Sequence, residues 1–310
     1  MPEHRGLHHI SVIASDPQDN YDFYVKKLGM RMVKKTVNQD DPTKYHLFYA
    51  NAEGSPGSSL TFFPWPRARQ GNPGSGEATE ISLAVPKDSL EFWQQRLDDQ
   101  NIPHSEPFKR FGKTHISFKD PDGLQLHLVF DYSAAELKSW NQSSVPVQYQ
   151  IQGFWNTTLK LDQKEETEEI LTSILGFKKA ETEGNRILYQ TESSLGHSLI
   201  IEEVNSQPGQ NGAGIVHHVA FQSKNEEDLT EMRFEVIRRG LQPTEIIDRH
   251  FFKSVYYKTP GGVLFEMATN GPGYFVNADP DEDQAEKLEL TPWHEPKREQ
   301  IEASLPPIKT

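Results

Sequence analysis

Internal repetition constrains the fold of this chain more than any single segment does, because a unit of roughly 55 to 70 residues occurs four times. Each unit begins with a predicted strand, continues into an amphipathic helix and returns through several further strands. The second and fourth units show the repeat most clearly: Arg110 to His127 aligns without a gap with Arg249 to Glu266, and a turn proline and glycine coincide. The chain is therefore predicted to consist of duplicated βαβββ modules.

The four modules define the predicted domain organisation. We expect an α+β fold in which the modules pair into two domains built on mixed β-sheets. Modules 1 and 2 form an N-terminal domain over residues 1–132, and modules 3 and 4 form a C-terminal domain over residues 150–270. A Ser/Pro/Gln-rich linker at 133–149 joins them. A tail at 271–310 lies outside the repeats, and its Trp293 suggests that it docks on the body.

The composition of the chain excludes several kinds of partner and of chemical site. At 310 residues the chain is long enough for about two domains, and its net charge of −13 argues against nucleic acid as a partner. The absence of cysteine excludes disulfides, thiolate metal ligands and a cysteine nucleophile. Because the first residues lack the apolar core of a signal peptide and no apolar run reaches roughly 18 residues, we expect a cytoplasmic protein with no membrane partner.

Two histidine pairs are the strongest indication of chemistry. His8-His9 lies on the first strand of module 1, and His217-His218 lies on the first strand of module 4. Adjacent side chains of a strand point to opposite faces, so one histidine of each pair is expected to face a common interior. Glu266, embedded in apolar residues on a third strand, would complete a set of two imidazoles and one carboxylate. Such a set suits a redox-active divalent iron with open coordination positions.

The internal alignment also predicts a second, altered copy of this set in the other half of the molecule. Asn156 replaces His9, Glu80 replaces His218 and His127 replaces Glu266. An amide is a poor third ligand for a firmly held metal. We therefore expect one intact metal site and one degenerate site.

With these features the chain resembles the vicinal oxygen chelate superfamily (glyoxalase, bleomycin resistance and extradiol dioxygenase proteins). Within that superfamily it resembles the dioxygenases that cleave para-hydroquinone rings. The resemblance covers nearly the whole chain. It is carried by the segments Gly6 to Ile10, Asp41 to Leu47, Leu60 to Pro66, Val216 to Phe221 and Trp293 to Glu302.

The resemblance implies cupped sheets and Fe(II) held by the second histidine of each pair, His9 and His218, together with Glu266; Mn(II) or Zn(II) could be the metal found on purification. Asn156 stands where the common catechol-cleaving type needs a histidine. The metal must then recruit His9 from module 1, so we expect modules 1 and 4 to share one sheet and modules 2 and 3 the other.

Similarity to this family also assigns catalytic roles near the metal to His8, His217, Arg249 and Tyr256. His8 and His217 should point away from the metal by strand alternation unless a bulge turns them inward. A histidine or Tyr256 is expected to accept a phenol proton, and Arg249 to stabilise the developing negative charge. The partners implied are a small aromatic diphenol and O2, and a homo-oligomer is compatible with the sequence.

Two other functions stay open from the sequence. One is a glyoxalase-like lyase or isomerase that uses Zn, Ni or Mn without oxygen; sites of that type usually contain two carboxylates, and the predicted set has one. The other is a non-catalytic protein that binds aromatic compounds on the same fold, which would bind ligand without consuming O2.

Overall fold

The computed structural model describes residues 5–133, 139–276, 278–280 and 282–310. Each module contributes four strands in chain order. Module 1 contains β1 Leu7–Ala14, β2 Arg31–Val37, β3 Tyr45–Ala50 and β4 Ser59–Pro64, and module 2 contains β5 Glu77–Pro86, β6 Phe108–Arg110, β7 Lys113–Lys119 and β8 Gln125–Tyr132. Module 3 contains β9 Gly153–Leu161, β10 Lys178–Glu183, β11 Arg186–Gln190 and β12 Ser198–Glu203, and module 4 contains β13 Val216–Ser223, β14 Ile247–Asp248, β15 Lys253–Lys258 and β16 Leu264–Thr269.

Each module carries one helix near the predicted position, and the tail carries another. They are α1 Pro17–Tyr21, which continues as a π-helix over Asp22–Lys27, α2 Leu90–Asp99, α3 Glu165–Ser173, α4 Glu226–Arg238 and α5 Arg298–Ser304. Short 3₁₀ turns occur at Lys87–Ser89, Val147–Tyr149 and Glu295–Lys297. Asp16 caps α1 by accepting hydrogen bonds from two backbone N–H groups of its first turn. Gly29 and Gly176 follow the first and third helices with φ of 70° and 74°. Because glycine adopts this left-handed conformation readily, both helical segments are followed by the same Leu-Gly pair.

The strands form two curled, eight-stranded mixed sheets, each a half-barrel, and this confirms the predicted α+β class. One sheet has the order β14-β15-β16-β13-β1-β4-β3-β2, and the other has the order β10-β11-β12-β9-β5-β8-β7-β6. Modules 1 and 4 therefore share the first sheet and modules 2 and 3 the second, as the sequence predicts. The domain limits at 132 and 150 stay predictions, and residues 134–138 of the predicted linker lie outside the described residues.

A β-bulge interrupts the first strand of every module at one position. In the first sheet the antiparallel register slips by one residue at His8 in β1 and at His217 in β13. In the second sheet it slips at the corresponding residues, Trp155 in β9 and Thr79 in β5. A bulge re-aims the side chains beside it. The regular alternation of side chains between the two faces of a strand is therefore interrupted at both histidine pairs.

The tail docks on the outer strand of the first sheet. Leu290 and Ile301 pack against Val37 of β2 in a small apolar cluster. The buried ammonium of Lys34, also on β2, pairs with the carboxylate of Glu289. The expectation that the tail packs on the body is therefore met by residues around Trp293, which itself lies near His250 with ring centroids 6.0 Å apart.

No helix in the described part of the chain is both long and apolar enough to cross a membrane.

Candidate metal centre

Three buried side chains from three adjacent strands converge inside the first half-barrel. Nε2 of His9 on β1 lies 3.2 Å from Nε2 of His218 on β13. Oε2 of Glu266 on β16 lies 3.1 Å from the former nitrogen and 2.9 Å from the latter. The strands bring them together because β13 pairs with β1 on one side and with β16 on the other.

The spacing of these atoms fits a divalent metal. An octahedral cation with ligand distances of about 2.1 Å separates neighbouring ligand atoms by about 3.0 Å, which is close to all three observed distances. Oε2 of Glu266 is buried and, apart from the two imidazole nitrogens at 2.9 and 3.1 Å, has no hydrogen-bond donor within the described residues, whereas its Oε1 accepts a hydrogen bond from the hydroxyl of Ser254. A cation bound at the triangle would satisfy this orphaned oxygen.

The protonation states of the side chains in the triangle also favour a divalent cation. Burial opposes ionisation of Glu266, but the imidazoles of His9 and His218 outweigh burial and hold the pKa of the carboxyl well below its usual range. Burial lowers the pKa of His218, so its imidazole is neutral near pH 7. A neutral imidazole beside an ionised carboxylate is the form in which these groups bind metals.

In each pair the first histidine (His8 or His217, the outer histidine) contacts the second (His9 or His218, the inner histidine). Nδ1 of His8 lies 2.9 Å from Nδ1 of His9, and Nδ1 of His217 lies 2.8 Å from Nδ1 of His218. These contacts follow from the bulges at His8 and His217. The two outer rings differ in their access to solvent, because His8 is buried against Phe252 whereas His217 is exposed.

A cavity of about 260 Å³ opens beside the triangle of His9, His218 and Glu266. Of the residues assigned catalytic roles from the sequence, His217, Arg249 and Tyr256 line it, but His8 does not. Much of the remaining wall is aromatic, namely Phe48, Phe63, Trp65, Phe251 and Phe252. A flat apolar molecule with a few polar groups matches such a lining.

Arg249 is held beside Tyr256 by a carboxylate that the sequence did not indicate. Its two terminal nitrogens lie 3.1 and 3.0 Å from the carboxylate oxygens of Asp40, in the loop after β2. The guanidinium carbon lies 5.4 Å from the centre of the Tyr256 ring. Burial and the charge of Glu266 raise the pKa of Tyr256, so its hydroxyl stays protonated.

The second half-barrel contains the predicted altered copy of the site. Glu80 lies 3.8 Å from His127, but Arg110 and Arg186 also bind its carboxylate, at 2.6 and 3.3 Å. Asn156 is fully buried, and neither of its side-chain polar atoms has a hydrogen-bond partner among the described residues. Two guanidinium groups thus already balance the charge of the carboxylate that a metal cation would need.

Several cavity residues were not identified from the sequence, notably His46, Phe63 and Asp40. They come from strands and loops of module 1 whose side chains meet module 4 only after the sheet curls. One available signal was the family resemblance, because its segments Asp41 to Leu47 and Leu60 to Pro66 contain His46 and Phe63.

Comparisons with known proteins agree with this architecture. The family model of the Glyoxalase/Bleomycin resistance protein/Dioxygenase superfamily matches residues 6–128 and 153–267. A crystal structure of a Bacillus subtilis protein, provisionally described as a dioxygenase, superposes with a TM-score of 0.95 at 37% identity and covers 100% of this chain and 99% of its own. Glyoxalase I from Zea mays, at 12% identity and a TM-score of 0.63 over 86% of this chain and 92% of its own, shares the fold.

Sequence relatives carry more specific names. MhqO of Bacillus subtilis, provisionally named a ring-cleaving dioxygenase, is 38% identical over 98% of this chain and 96% of its own length. A Sphingobium indicum protein named chlorohydroquinone/hydroquinone 1,2-dioxygenase is 32% identical over 86% of each chain.

Proposed function

The chain belongs to the glyoxalase/bleomycin resistance protein/dioxygenase superfamily, and on this premise we propose that it is an Fe(II)-dependent dioxygenase that opens the ring of a substituted hydroquinone with O2. The observation that carries the proposal is the triangle of His9, His218 and Glu266 beside an aromatic cavity. The names of the relatives support the reaction and the substrate class. A metal bound at the triangle would supply open coordination positions and, as iron, the redox chemistry of oxygen.

The outer histidines hold the inner ones in the tautomer that binds a metal. An imidazole that binds a metal through Nε2 carries its proton on Nδ1. Nδ1 of His9 therefore donates to His8, and Nδ1 of His218 donates to His217. His8 is fixed further by a hydrogen bond with the backbone of Thr269.

This arrangement changes the role proposed for His217. Because its Nδ1 accepts from His218, its neutral ring carries a proton on Nε2 and faces the cavity as a donor, not as the proton acceptor expected from the sequence. Tyr256, which remains protonated, and the cationic Arg249 line the same cavity. Three groups that donate hydrogen bonds or carry positive charge favour the phenolate form of a diphenol and stabilise negative charge that develops on it.

Oxygen consumption tests the reaction. The protein is loaded anaerobically with Fe(II), and O2 uptake is recorded with methylhydroquinone, a chlorinated hydroquinone, catechol, and methylglyoxal with glutathione. We expect uptake with the hydroquinones. Absence of uptake with every diphenol would overturn the dioxygenase proposal, and turnover of methylglyoxal without O2 would favour the glyoxalase-like alternative. That alternative is weaker because no second carboxylate joins the triangle within the described residues.

The ligand assignment is tested separately. Glu266→Gln should abolish tight iron binding and turnover, since it removes the anionic ligand. His127→Gln, at the corresponding position of the second half-barrel, is the matched control and should retain both. Full iron occupancy and activity in Glu266→Gln would refute the assignment.

A further inference from the structure

His46 on β3 occupies a position in the cavity to which no role has been given above. Its ring lies between those of Phe48 and Phe63, with centroid distances of 4.0 and 4.1 Å. It lines the same cavity as His9 and His218. An imidazole enclosed by two apolar rings is a polar group in an aromatic part of the cavity wall and can give a ligand selectivity there.

Hydrogen bonds fix the orientation of this ring. Nε2 of His46 lies 3.0 Å from the hydroxyl of Thr61, which lies 2.6 Å from the hydroxyl of Ser11. Nδ1 has no partner within the described residues and is therefore the nitrogen left for a ligand. Burial lowers the pKa of His46 well below its usual range, so the ring is neutral and each nitrogen either donates or accepts one hydrogen bond.

The second half-barrel shows where a side chain at this position points. Arg186 is the counterpart of His46, because Leu188 pairs with β12 as Phe48 pairs with β4. Arg186 extends across the cup and reaches Glu80, the counterpart of His218, at 3.3 Å. The shorter His46 makes no such contact with His218. His46 and His218 thus line one cavity without contacting each other, whereas the arginine contacts the counterpart of His218 in the other half.

We propose that His46 binds the distal hydroxyl of a para-diphenol whose first oxygen lies at the His9–His218–Glu266 triangle. This assignment rests on the proposed function and names the residue that selects its substrate. The hydroxyl both donates and accepts, so either neutral form of the imidazole can hold it. The adjacent second oxygen of a catechol stays near the metal-ligand triangle, and phenol has no second oxygen.

Binding without turnover tests this role. Dissociation constants for hydroquinone, catechol and phenol are measured by anaerobic calorimetry on iron-loaded protein. His46→Phe keeps an aromatic ring between Phe48 and Phe63 but removes the polar nitrogen. We expect unmodified protein to bind hydroquinone at least about tenfold more tightly than phenol. In His46→Phe the ratio should fall to about one, while the phenol and catechol constants change less than about threefold.

Two further variants make the result specific. Thr61→Val, which releases Nε2 of His46, should lower the hydroquinone preference at least about threefold with the imidazole still present. His197→Phe, a histidine of the second half-barrel near Trp155, should leave the preference unchanged. If unmodified protein prefers hydroquinone and both His46→Phe and Thr61→Val keep that preference, the role of His46 is refuted while the dioxygenase proposal stands. If unmodified protein binds no diphenol, both proposals fail.

Discussion

Nδ1 of His9 lies 2.9 Å from Nδ1 of His8, so a buried histidine that does not line the cavity decides which nitrogen of His9 is available to a metal. We predict that His8→Leu weakens divalent metal binding about 10- to 100-fold, because His9 loses the acceptor that fixes its tautomer. Competition with a chromogenic chelator measures this affinity.

The matched control for this variant is Trp155→Phe, at the corresponding bulge of the second half-barrel. It should bind metal as the unmodified protein does. Equal metal affinity in His8→Leu and unmodified protein would show that His9 is oriented by other contacts, such as the Phe252 ring at 5.1 Å.

Glu80 should stabilise the fold without contributing to metal binding. Its side chain is 12% exposed and carries the charge that balances Arg110 and Arg186. Glu80→Gln leaves both guanidinium groups with less compensation, and we expect a loss of about 3 kcal/mol in the free energy of unfolding. Urea denaturation measures the loss, and the metal content of the folded variant should stay at that of the unmodified protein. A change below about 1 kcal/mol would contradict this role.

The family resemblance, read on this sequence, was sufficient to predict which modules share a sheet. It implied that Asn156 stands where a related type has a histidine ligand, so a metal site was expected to join His9 of module 1 to module 4, and the strand order agrees with that pairing of modules. The bulges at His8 and His217 were not predictable, because an extra residue is defined only against a partner strand that lies some 200 positions away in each case.

The cavity wall was harder to predict than the convergence of His9, His218 and Glu266. His46 becomes a wall residue because β3 curls toward β13, and strand alternation alone does not report curvature. The pairing of Arg249 with Asp40 joins a loop of module 1 to module 4 across the mouth of the half-barrel. Such contacts depend on the geometry of loops, and the internal repeat does not report this geometry.

Asp120 should make stability depend on pH. Burial raises the pKa of its carboxyl from 3.8 to about 7, although the Tyr24 hydroxyl and two backbone N–H groups donate to it. Between about pH 4 and pH 7 the folded protein holds a proton that the unfolded chain has released, so this group's contribution to stability falls as pH rises through that window.

Asp120→Asn removes this titration while its amide oxygen can still accept from the backbone of the turn. Relative to the unmodified protein, the variant should gain up to about 4 kcal/mol in unfolding free energy between pH 4 and pH 7.5. Urea denaturation at a series of pH values measures the difference. Parallel profiles for the two proteins would contradict the raised pKa.

Lys34 and Glu289 form the ion pair that joins the tail to the cavity wall. The Lys34 side chain is 1% exposed, and its ammonium lies 5.4 Å from the ring of Phe251, which lines the cavity. Burial lowers the pKa of Lys34, with Glu289 opposing the shift. Glu289→Gln leaves this ammonium buried without its carboxylate, and we expect a loss of about 3 kcal/mol in unfolding free energy.

The double variant Lys34→Met/Glu289→Gln separates loss of the tail contact from the cost of an unpaired charge. If the charge is responsible, the double variant should recover most of the stability that Glu289→Gln loses, because methionine fills similar space without a charge to solvate. Glu295→Gln, which breaks an exposed pair with Arg298, is the control and should cost less than about 1 kcal/mol. A double variant no more stable than Glu289→Gln would instead mean that the carboxylate of Glu289 holds the tail through contacts other than Lys34.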